Sequence, residues 1–252
     1  MKFIEVRWAA ATFLLSCLAI SAAGSPTDKK EKDKPASQVV DSGSFGVFVK
    51  GQRVLTETFS IHQENGTSVI KAQLKEAPGS EPISQKSDLQ ITSNGELLRY
   101  EWSQPLGASL IVLPNNDFLI EKITPAGSAK PAEKPFLMPS TSSILDNNFF
   151  VHREVLTWRY LAADCKPENS NLKCQQGPAQ FGVLVPQDQN SISVRLELVG
   201  PEKISIHGAE RQLLRLNLTS DNFDWSLWVD PQDQFKLIRV AIPADNTEVV
   251  RD

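Results

Sequence analysis

Three histidines, His62, His152 and His207, are the side chains best suited to acid–base or metal chemistry near neutral pH. His62 falls on the polar face of a predicted strand, so we expect it to be solvated, and His207 precedes Gly208 at a predicted hairpin turn. His152 lies two residues from Glu154 in a predicted helix, a spacing that puts the two side chains on different faces. We therefore expect His152 to be a partly buried, hydrogen-bonded structural residue.

Motifs whose spacing carries a catalytic mechanism are absent from the sequence. There is no HExxH pair, no GxSxG elbow, no glycine-rich phosphate loop and no EF-hand pattern. Carboxylates such as Asp221 and Asp224 fall close together, but their spacing does not define a glycosidase pair. We accordingly predict no catalytic residue, no metal site and no cofactor.

Cysteine usage indicates an oxidising compartment. Cys165 and Cys174 enclose a short polar segment, and we expect them to form a disulfide. The competing interpretation is a metal site, but two cysteines without a nearby histidine leave a zinc coordination sphere incomplete. The spacing also excludes a CxxC redox motif.

Aromatic and apolar side chains offer the second kind of candidate site, an apolar pocket. Most of them are expected to form the core, whereas aromatic walls also suit an acyl or other apolar ligand. The candidate lining residues are Tyr100, Trp102, Phe149, Leu156, Trp158, Tyr160 and Trp225.

Alternating apolar and polar residues predict that short β-strands position these side chains. Leu55, Phe59 and Ile61 share one strand face, and the Asn65-Gly66 pair that follows is a strong hairpin signal. Comparable alternation runs through residues 89–124 and 181–242. Segments 76–87 and 125–135, rich in Pro, Gly, Ala and Ser, are predicted to be loops.

One segment, residues 149–161, has helical rather than strand periodicity. Phe149, Leu156 and Tyr160 fall on one side, and Ser142 and Ser143 are candidate N-caps. Because a single amphipathic helix must bury its apolar face, the sequence predicts a mainly β (α+β) fold. In that fold a large curved antiparallel sheet or half-barrel packs on one central helix.

The first 24 residues resemble a bacterial signal peptide. Lys2 and Arg7 precede an uncharged apolar run that ends in small residues near Ala23. We predict a signal peptide at 1–24, a disordered charged tether at 25–42 and a single β-rich half-barrel domain at 43–252. Two alternatives stay open, an uncleaved anchor helix and lipidation of Cys17, which would attach the protein to a membrane.

The charge balance excludes some partners. The chain has 26 basic and 30 acidic residues, a net charge of −4, and loss of the signal peptide would make it more negative. A nucleic-acid binder would show a basic patch instead. We expect a periplasmic or secreted protein whose partner is an apolar small molecule or an envelope protein, without nucleic acid.

Three segments carry a resemblance to a known family. They are the opening Gly46-Val47-Phe48-Val49, the helix at 149–161 before Val183-Leu184-Val185-Pro186, and the closing Leu227-Trp228-Val229-Asp230 with Leu237-Ile238-Arg239-Val240. Their order resembles the half-barrel of the periplasmic lipoprotein carriers and of exported bacterial families of unknown function. The resemblance implies a cavity between sheet and helix that takes acyl chains.

Three functions follow from these observations. The first is a non-catalytic binding module for an apolar or lipid-like ligand, held between helix and sheet. The alternative is a structural or protein-interaction component of the envelope, which would dock a partner through a sheet edge or the surface bearing Trp228. The third is a cell-wall hydrolase, which needs clustered histidines and carboxylates in a cleft. We expect the first, and hence no enzyme activity.

Overall fold

The computed structural model describes residues 37–76, 84–128, 130–168 and 171–252. Over these residues the chain forms seventeen strands, one α-helix and two short 3₁₀ helices, Pro186–Asp188 and Pro243–Asp245. The strands before the helix are β1 (Gln38–Val49), β2 (Gln52–Glu64), β3 (Thr67–Glu76), β4 (Gln85–Thr92), β5 (Leu97–Ser103), β6 (Ser109–Asn115), β7 (Phe118–Thr124), β8 (Ala132–Phe136) and β9 (Ser143–Ile144). After helix α1 (Val151–Asp164) come β10 (Cys165–Glu168), β11 (Asn171–Cys174), β12 (Ala179–Val185), β13 (Asn190–Ile206), β14 (Ala209–Thr219), β15 (Asp224–Asp230), β16 (Lys236–Ile242) and β17 (Thr247–Arg251).

Fifteen of these strands form one sheet, in the order β8-β7-β6-β5-β4-β3-β2-β1-β17-β16-β15-β14-β13-β12-β9. Neighbouring strands are antiparallel, except that β9 pairs with β12 in parallel. Strand β1 is therefore central, with β2 on one side and β17 on the other. The chain runs from the centre to one edge as a meander, and α1 lies on the connection to the other half. The predicted mainly β fold with one helix is confirmed.

Short turns account for the meander connections. Asn65 and Gly66 both have positive φ, 51° and 76°, which are the values that a two-residue type I′ hairpin turn requires. This turn lets β2 and β3 pair from Glu64 opposite Thr67 back to Leu55 opposite Glu76. The hairpin predicted from the sequence is confirmed.

One core unites both halves of the sheet with the helix. Leu156 and Tyr160 of α1 belong to the same buried cluster as Phe59 on β2 and Leu227 on β15. These two strands lie on opposite sides of β1, so the sheet curves around the helix. Burying each such side chain contributes about 1.5–3 kcal/mol, so this shared core stabilises the packing of the helix against both halves of the sheet.

The helix differs in detail from the sequence prediction. It spans Val151–Asp164 rather than 149–161, and its N-cap residue, Phe150, makes no side-chain capping hydrogen bond. The predicted caps Ser142 and Ser143 are wrong, because Ser143 is in strand β9 and Ser142 lies before it. A side chain from a distant strand caps the helix instead, as described below.

Three segments predicted to lack regular structure contain strand residues, and in one of them, the predicted loop 76–87, strand β4 begins at Gln85. Strand β1 begins at Gln38, inside the predicted tether, because residues from Gln38 onward pair with β2. Strand β8 (Ala132–Phe136) begins within the predicted loop 125–135 and pairs with β7 at the edge of the sheet. The predicted signal peptide, with Cys17, and tether residues 25–36 lie outside the described residues. So do residues 77–83 of the predicted loop 76–87.

Cys165 and Cys174 face each other in the two-stranded hairpin of β10 and β11. Their sulfur atoms are 2.06 Å apart, which is bonding distance, and the predicted pairing is confirmed. The backbone N–H of Gln175 also donates to the carbonyl oxygen of Asp164 at 2.9 Å. The hairpin is thus closed directly after the last turn of α1.

Candidate ligand-binding site

A cavity of about 570 Å³ lies between one face of α1 and strands β3, β4, β5 and β9; we call it the α1 cavity. Its volume falls in the range of small-molecule binding sites in proteins. The apolar part of its wall comprises Leu89, Ile91, Leu97, Ile144, Val155, Leu156, Trp158, Ala162 and Ala163. The polar part comprises Ser68, Thr92, Ser93, Asn94, Ser142, Ser143, His152 and Arg159, and Gly95 completes the lining.

The helix contributes its wall residues at helical spacing. His152, Val155, Leu156 and Arg159 have the spacing i, i+3, i+4 and i+7, so they line one stripe along the cavity. The stripe begins at His152, which is 1% exposed, and ends at the exposed Ala162 and Ala163. The cavity therefore extends from a buried end towards the protein surface.

Glu57 on β2 holds the beginning of the helix. Its side chain accepts hydrogen bonds from the backbone N–H groups of Phe150, at 2.6 Å, and Val151, at 3.1 Å. These N–H groups have no partner within a helix, and the Glu57 side chain supplies one for each. Burial raises the pKa of Glu57 to about 8, opposed by the two N–H bonds and by Arg153.

Asp146 organises the segment that leads into the helix. Its side chain accepts the backbone N–H groups of Asn148, at 2.7 Å, and Phe149, at 3.3 Å. It also accepts the Tyr100 hydroxyl and the Gln187 amide. Burial raises the pKa of Asp146, although these hydrogen bonds lower it. The helix entry is thus tied to β5 and to the 3₁₀ helix after β12.

Arg153 is a charged side chain buried at the start of the helix, with 1% exposure. Its guanidinium group donates to the carbonyl oxygens of Phe149, at 2.6 Å, and Asp146. It also lies 4.9 Å from the ring centroid of Trp225. Burial lowers the pKa of Arg153 to about 10, so it stays charged at neutral pH and offsets the nearby acidic groups.

The next helix residue, Glu154, is also buried. Its carboxyl group lies 3.5 Å from the guanidinium of Arg251 on β17, which also pairs with Asp41 on β1 at 2.6 Å. Burial, followed by the proximity of Asp41, raises the pKa of Glu154 well above its usual range. Polar side chains therefore connect α1 to the two central strands of the sheet.

His152 is a buried wall residue whose ring edge faces the ring of Tyr100, with centroids 5.6 Å apart. Neither ring nitrogen has a hydrogen-bond partner among the described residues, contrary to the expected hydrogen-bonded histidine. Burial, and secondarily Arg153, lowers the pKa of His152 to about 3. The side chain is therefore neutral at pH 7 and adds no charge to the cavity.

The seven sequence-predicted lining residues are divided between the α1 cavity and its surroundings. Leu156 and Trp158 border the cavity. Tyr100 and Phe149 are fully buried in the core beside the helix entry, and neither borders the cavity.

The other three predicted residues anchor neighbouring elements. The Tyr160 hydroxyl accepts the backbone N–H of Leu198 on β13 at 3.1 Å. Trp102 donates its indole N–H to Gln85 at 2.9 Å, and Trp225 stacks on Phe223 with centroids 4.4 Å apart. None of the three borders the α1 cavity.

The remaining residues considered for chemistry are dispersed through the fold. His62 is on β2, and His207 is in the turn between β13 and β14, where its Nε2 lies 2.8 Å from the carbonyl oxygen of Arg251. Within the described ranges, no group of three His, Cys, Asp or Glu residues is arranged to hold a metal ion. Trp228 is 6% exposed and packs with Ile206 outside the main core.

Sequence reasoning missed Glu57, although a signal was present. Glu57 follows Leu55 and precedes Phe59 and Ile61 at intervals of two, so it belongs to the buried face of β2. An acidic residue in phase with apolar neighbours indicates a buried carboxyl group. Asp146 has no comparable signal, because it lies in irregular structure between β9 and α1.

Comparison with known protein families, with curated proteins and with solved structures gave no match for this chain. Within the part of the chain that the structure describes, no helix is both long enough and apolar enough to cross a membrane.

Proposed function

We propose that this protein is an exported, non-catalytic binding module that holds an apolar or lipid-like ligand in the α1 cavity. The observation that carries the proposal is the cavity itself, which lies between the helix and the curved sheet. The order of strands and helix in the chain resembles that of the periplasmic lipoprotein carriers. This resemblance is part of the proposal, because those carriers hold acyl chains between sheet and helix. The Cys165–Cys174 pair supports an oxidising compartment outside the cytoplasm.

The composition of the cavity wall favours an apolar ligand. Leu89 and Ile91 from β4 face Val155, Leu156 and other apolar helix residues across the space. Contact with such walls removes apolar ligand surface from water, at about 25 cal/mol per Å². The polar wall residues are mostly hydroxyl and amide groups near the ends of strands, where they can orient a ligand without requiring a charge on its tail.

The attachment of the helix at both ends favours a preformed site. Glu57 and Asp146 hold the helix entry, while Tyr160 and the indole N–H of Trp158, which donates to the carbonyl oxygen of Phe235 at 2.9 Å, hold its second half. A rigid cavity lowers the entropy cost of binding because little protein must be ordered.

Envelope protein docking is less well supported by the exposed features. The edge strand β8 has only five residues and carries Lys134 and Pro135, which discourage pairing with another strand. Trp228, the centre of the alternative docking surface, is buried. These observations favour the binding module over the interaction component.

The proposal is tested by filling the cavity. The mature chain with Val155→Trp should lose uptake of dodecanol, measured by displacement of an uncharged dye that fluoresces in apolar surroundings. Val155 is half-buried and faces the cavity, so the larger ring occupies ligand space. The matched control is Val199→Trp on β13, where the side chain is 54% exposed.

The wild-type protein and the Val199→Trp variant should bind alike, and native mass spectrometry of protein purified from cells should show a co-purifying lipid that Val155→Trp lacks. No dodecanol binding by the wild type, together with no co-purifying lipid, would overturn the proposal. Equal binding by both variants would place the ligand outside the α1 cavity and would also overturn it.

A further inference from the structure

We infer that the ligand of the α1 cavity is an anionic amphiphile whose carboxylate or phosphate head group pairs with Arg159 while its apolar tail lies against the cavity wall. The inference rests on the proposed function and names the chemical class of its ligand. It depends on the charge of Arg159 and on the ion-pair and hydrogen-bond partners of this side chain.

Among the residues that the structure describes, Arg159 is the only charged one that lines the cavity, and no Asp or Glu lines it. His152, at the buried end of the wall, is neutral at pH 7, and the charged Arg153 does not line the cavity. An anion is the complement of such a site.

Arg159 differs in its interaction partners from the other arginines that the structure describes. With the exception of Arg153, the others pair with a carboxylate within 4.0 Å: Arg53, Arg99, Arg195, Arg211, Arg215, Arg239 and Arg251. Arg153 is buried and donates to backbone carbonyl oxygens. Among the described residues, Arg159 has no carboxylate at that distance.

The guanidinium of Arg159 is nevertheless held in place. Its Nη1 donates to the hydroxyl of Ser143 on β9 at 2.8 Å, and its central carbon lies 5.7 Å from the ring centroid of Phe181 on β12. These contacts use one of its five N–H donors, so the others can form the bidentate hydrogen bonds that carboxylates and phosphates accept. Partial burial, with no acidic neighbour, lowers the pKa of Arg159.

The arrangement along the helix gives the direction of the ligand. Arg159 lies seven residues, or about 10 Å, beyond the buried His152, and the exposed Ala162 and Ala163 follow it. A head group at Arg159 is therefore near the surface, where its partial hydration costs little. The tail extends past Val155 and Leu156 towards His152.

The test compares dodecanoate with dodecanol, which share an apolar chain and differ in head-group charge. Wild-type mature protein should bind dodecanoate about tenfold more tightly than dodecanol, as expected for one charge-assisted contact. Arg159→Gln should remove this preference by weakening dodecanoate alone, while Arg159→Lys should keep part of it. Arg195→Gln, at an exposed site on β13, is the matched control and should bind like the wild type.

Each result has a distinct meaning. Equal binding of dodecanoate and dodecanol by the wild type, or a preference that survives Arg159→Gln, would overturn the anionic head group and leave the binding module intact. No binding of either compound would overturn both proposals. A dodecanoyl lysophosphatidate arm separates the sources of the anion: tighter binding of this compound indicates a phospholipid and tighter binding of dodecanoate a fatty acid. Either result supports the inference if the Arg159→Gln substitution abolishes the tighter binding.

Discussion

The side chain of Glu57 accepts a hydrogen bond of 2.6 Å from the backbone N–H of Phe150, so a residue in the second strand caps a helix that begins more than ninety positions later. The contact joins a central part of the sheet to the element that forms one wall of the α1 cavity. It also satisfies a buried N–H group that the helix itself cannot pair. The cap is therefore a direct link between the fold and the shape of the candidate site.

Replacing Glu57 by alanine should destabilise the protein. The variant leaves the N–H groups of Phe150 and Val151 buried without partners, and we expect a loss of about 3 kcal/mol in the free energy of unfolding. Urea unfolding at pH 7 measures it. Glu64→Ala, at the exposed end of the same strand, should change the value by less than about 0.5 kcal/mol. Equal effects of the two substitutions would contradict the capping role.

Removing the two tyrosine hydroxyls should have unequal effects. Tyr160→Phe removes the acceptor of the Leu198 N–H and should cost about 1 kcal/mol, while Tyr100→Phe removes a donor to the buried Asp146 and should cost about 2–3 kcal/mol. Thermal or urea unfolding of both variants gives the comparison. A larger loss of stability for Tyr160→Phe than for Tyr100→Phe would show that the hydrogen bonds of Asp146 do not secure the helix entry.

The buried carboxyl group of Glu121 on β7 should make stability depend on pH. Burial raises its pKa to about 7 from the usual 4.5, and neither carboxyl oxygen has a hydrogen-bond partner among the described residues. The folded state therefore keeps a proton that the unfolded state loses above pH 4.5. Its contribution to the free energy of unfolding falls as pH rises from about 4.5 to 7, by up to about 3 kcal/mol.

Glu121→Gln removes this titration and should be more stable than the wild type at pH 8, by about 1–3 kcal/mol. The difference should shrink at pH 5, where the wild-type carboxyl group is largely protonated in the fold. Urea unfolding at the two pH values measures it. Glu133→Gln on the neighbouring strand β8 is the control, because its ion pair with Lys122 is exposed and contributes little. A Glu121→Gln difference that is the same at both pH values would refute the assignment.

Removal of the cysteine pair should loosen the hairpin that follows α1. We expect the Cys165→Ser, Cys174→Ser double variant to lose about 2–3 kcal/mol, because the cross-link restricts the unfolded chain. Dithiothreitol should lower the free energy of unfolding of the wild type by a similar amount and leave that of the double variant unchanged. No effect of dithiothreitol on the wild type would contradict a stabilising bond.

Local patterns predicted a large part of the fold. Alternation along β2 and the Asn65-Gly66 turn specify strands and their hairpin, since both depend on residues close in sequence. Edge strands were less predictable from the sequence. Strand β8 contains Lys134 and Pro135, a composition typical of a loop, yet its pairing with β7 makes it a strand. The helix was predicted from its periodicity, but its N-terminal boundary was not, because the capping residue comes from a distant strand.

By itself the sequence determined the β-rich class, the single helix and the pairing of Cys165 with Cys174, because each depends on local periodicity or short spacing. Only the tertiary structure decided that β1 lies at the centre beside β17, and that Glu57 and Asp146 meet at the helix entry. It also decided that Arg159 lies in a cavity wall whose other described residues are uncharged at pH 7. These relationships join residues far apart in the chain, and they exist only once the curved sheet has packed on the helix and excluded water from the core.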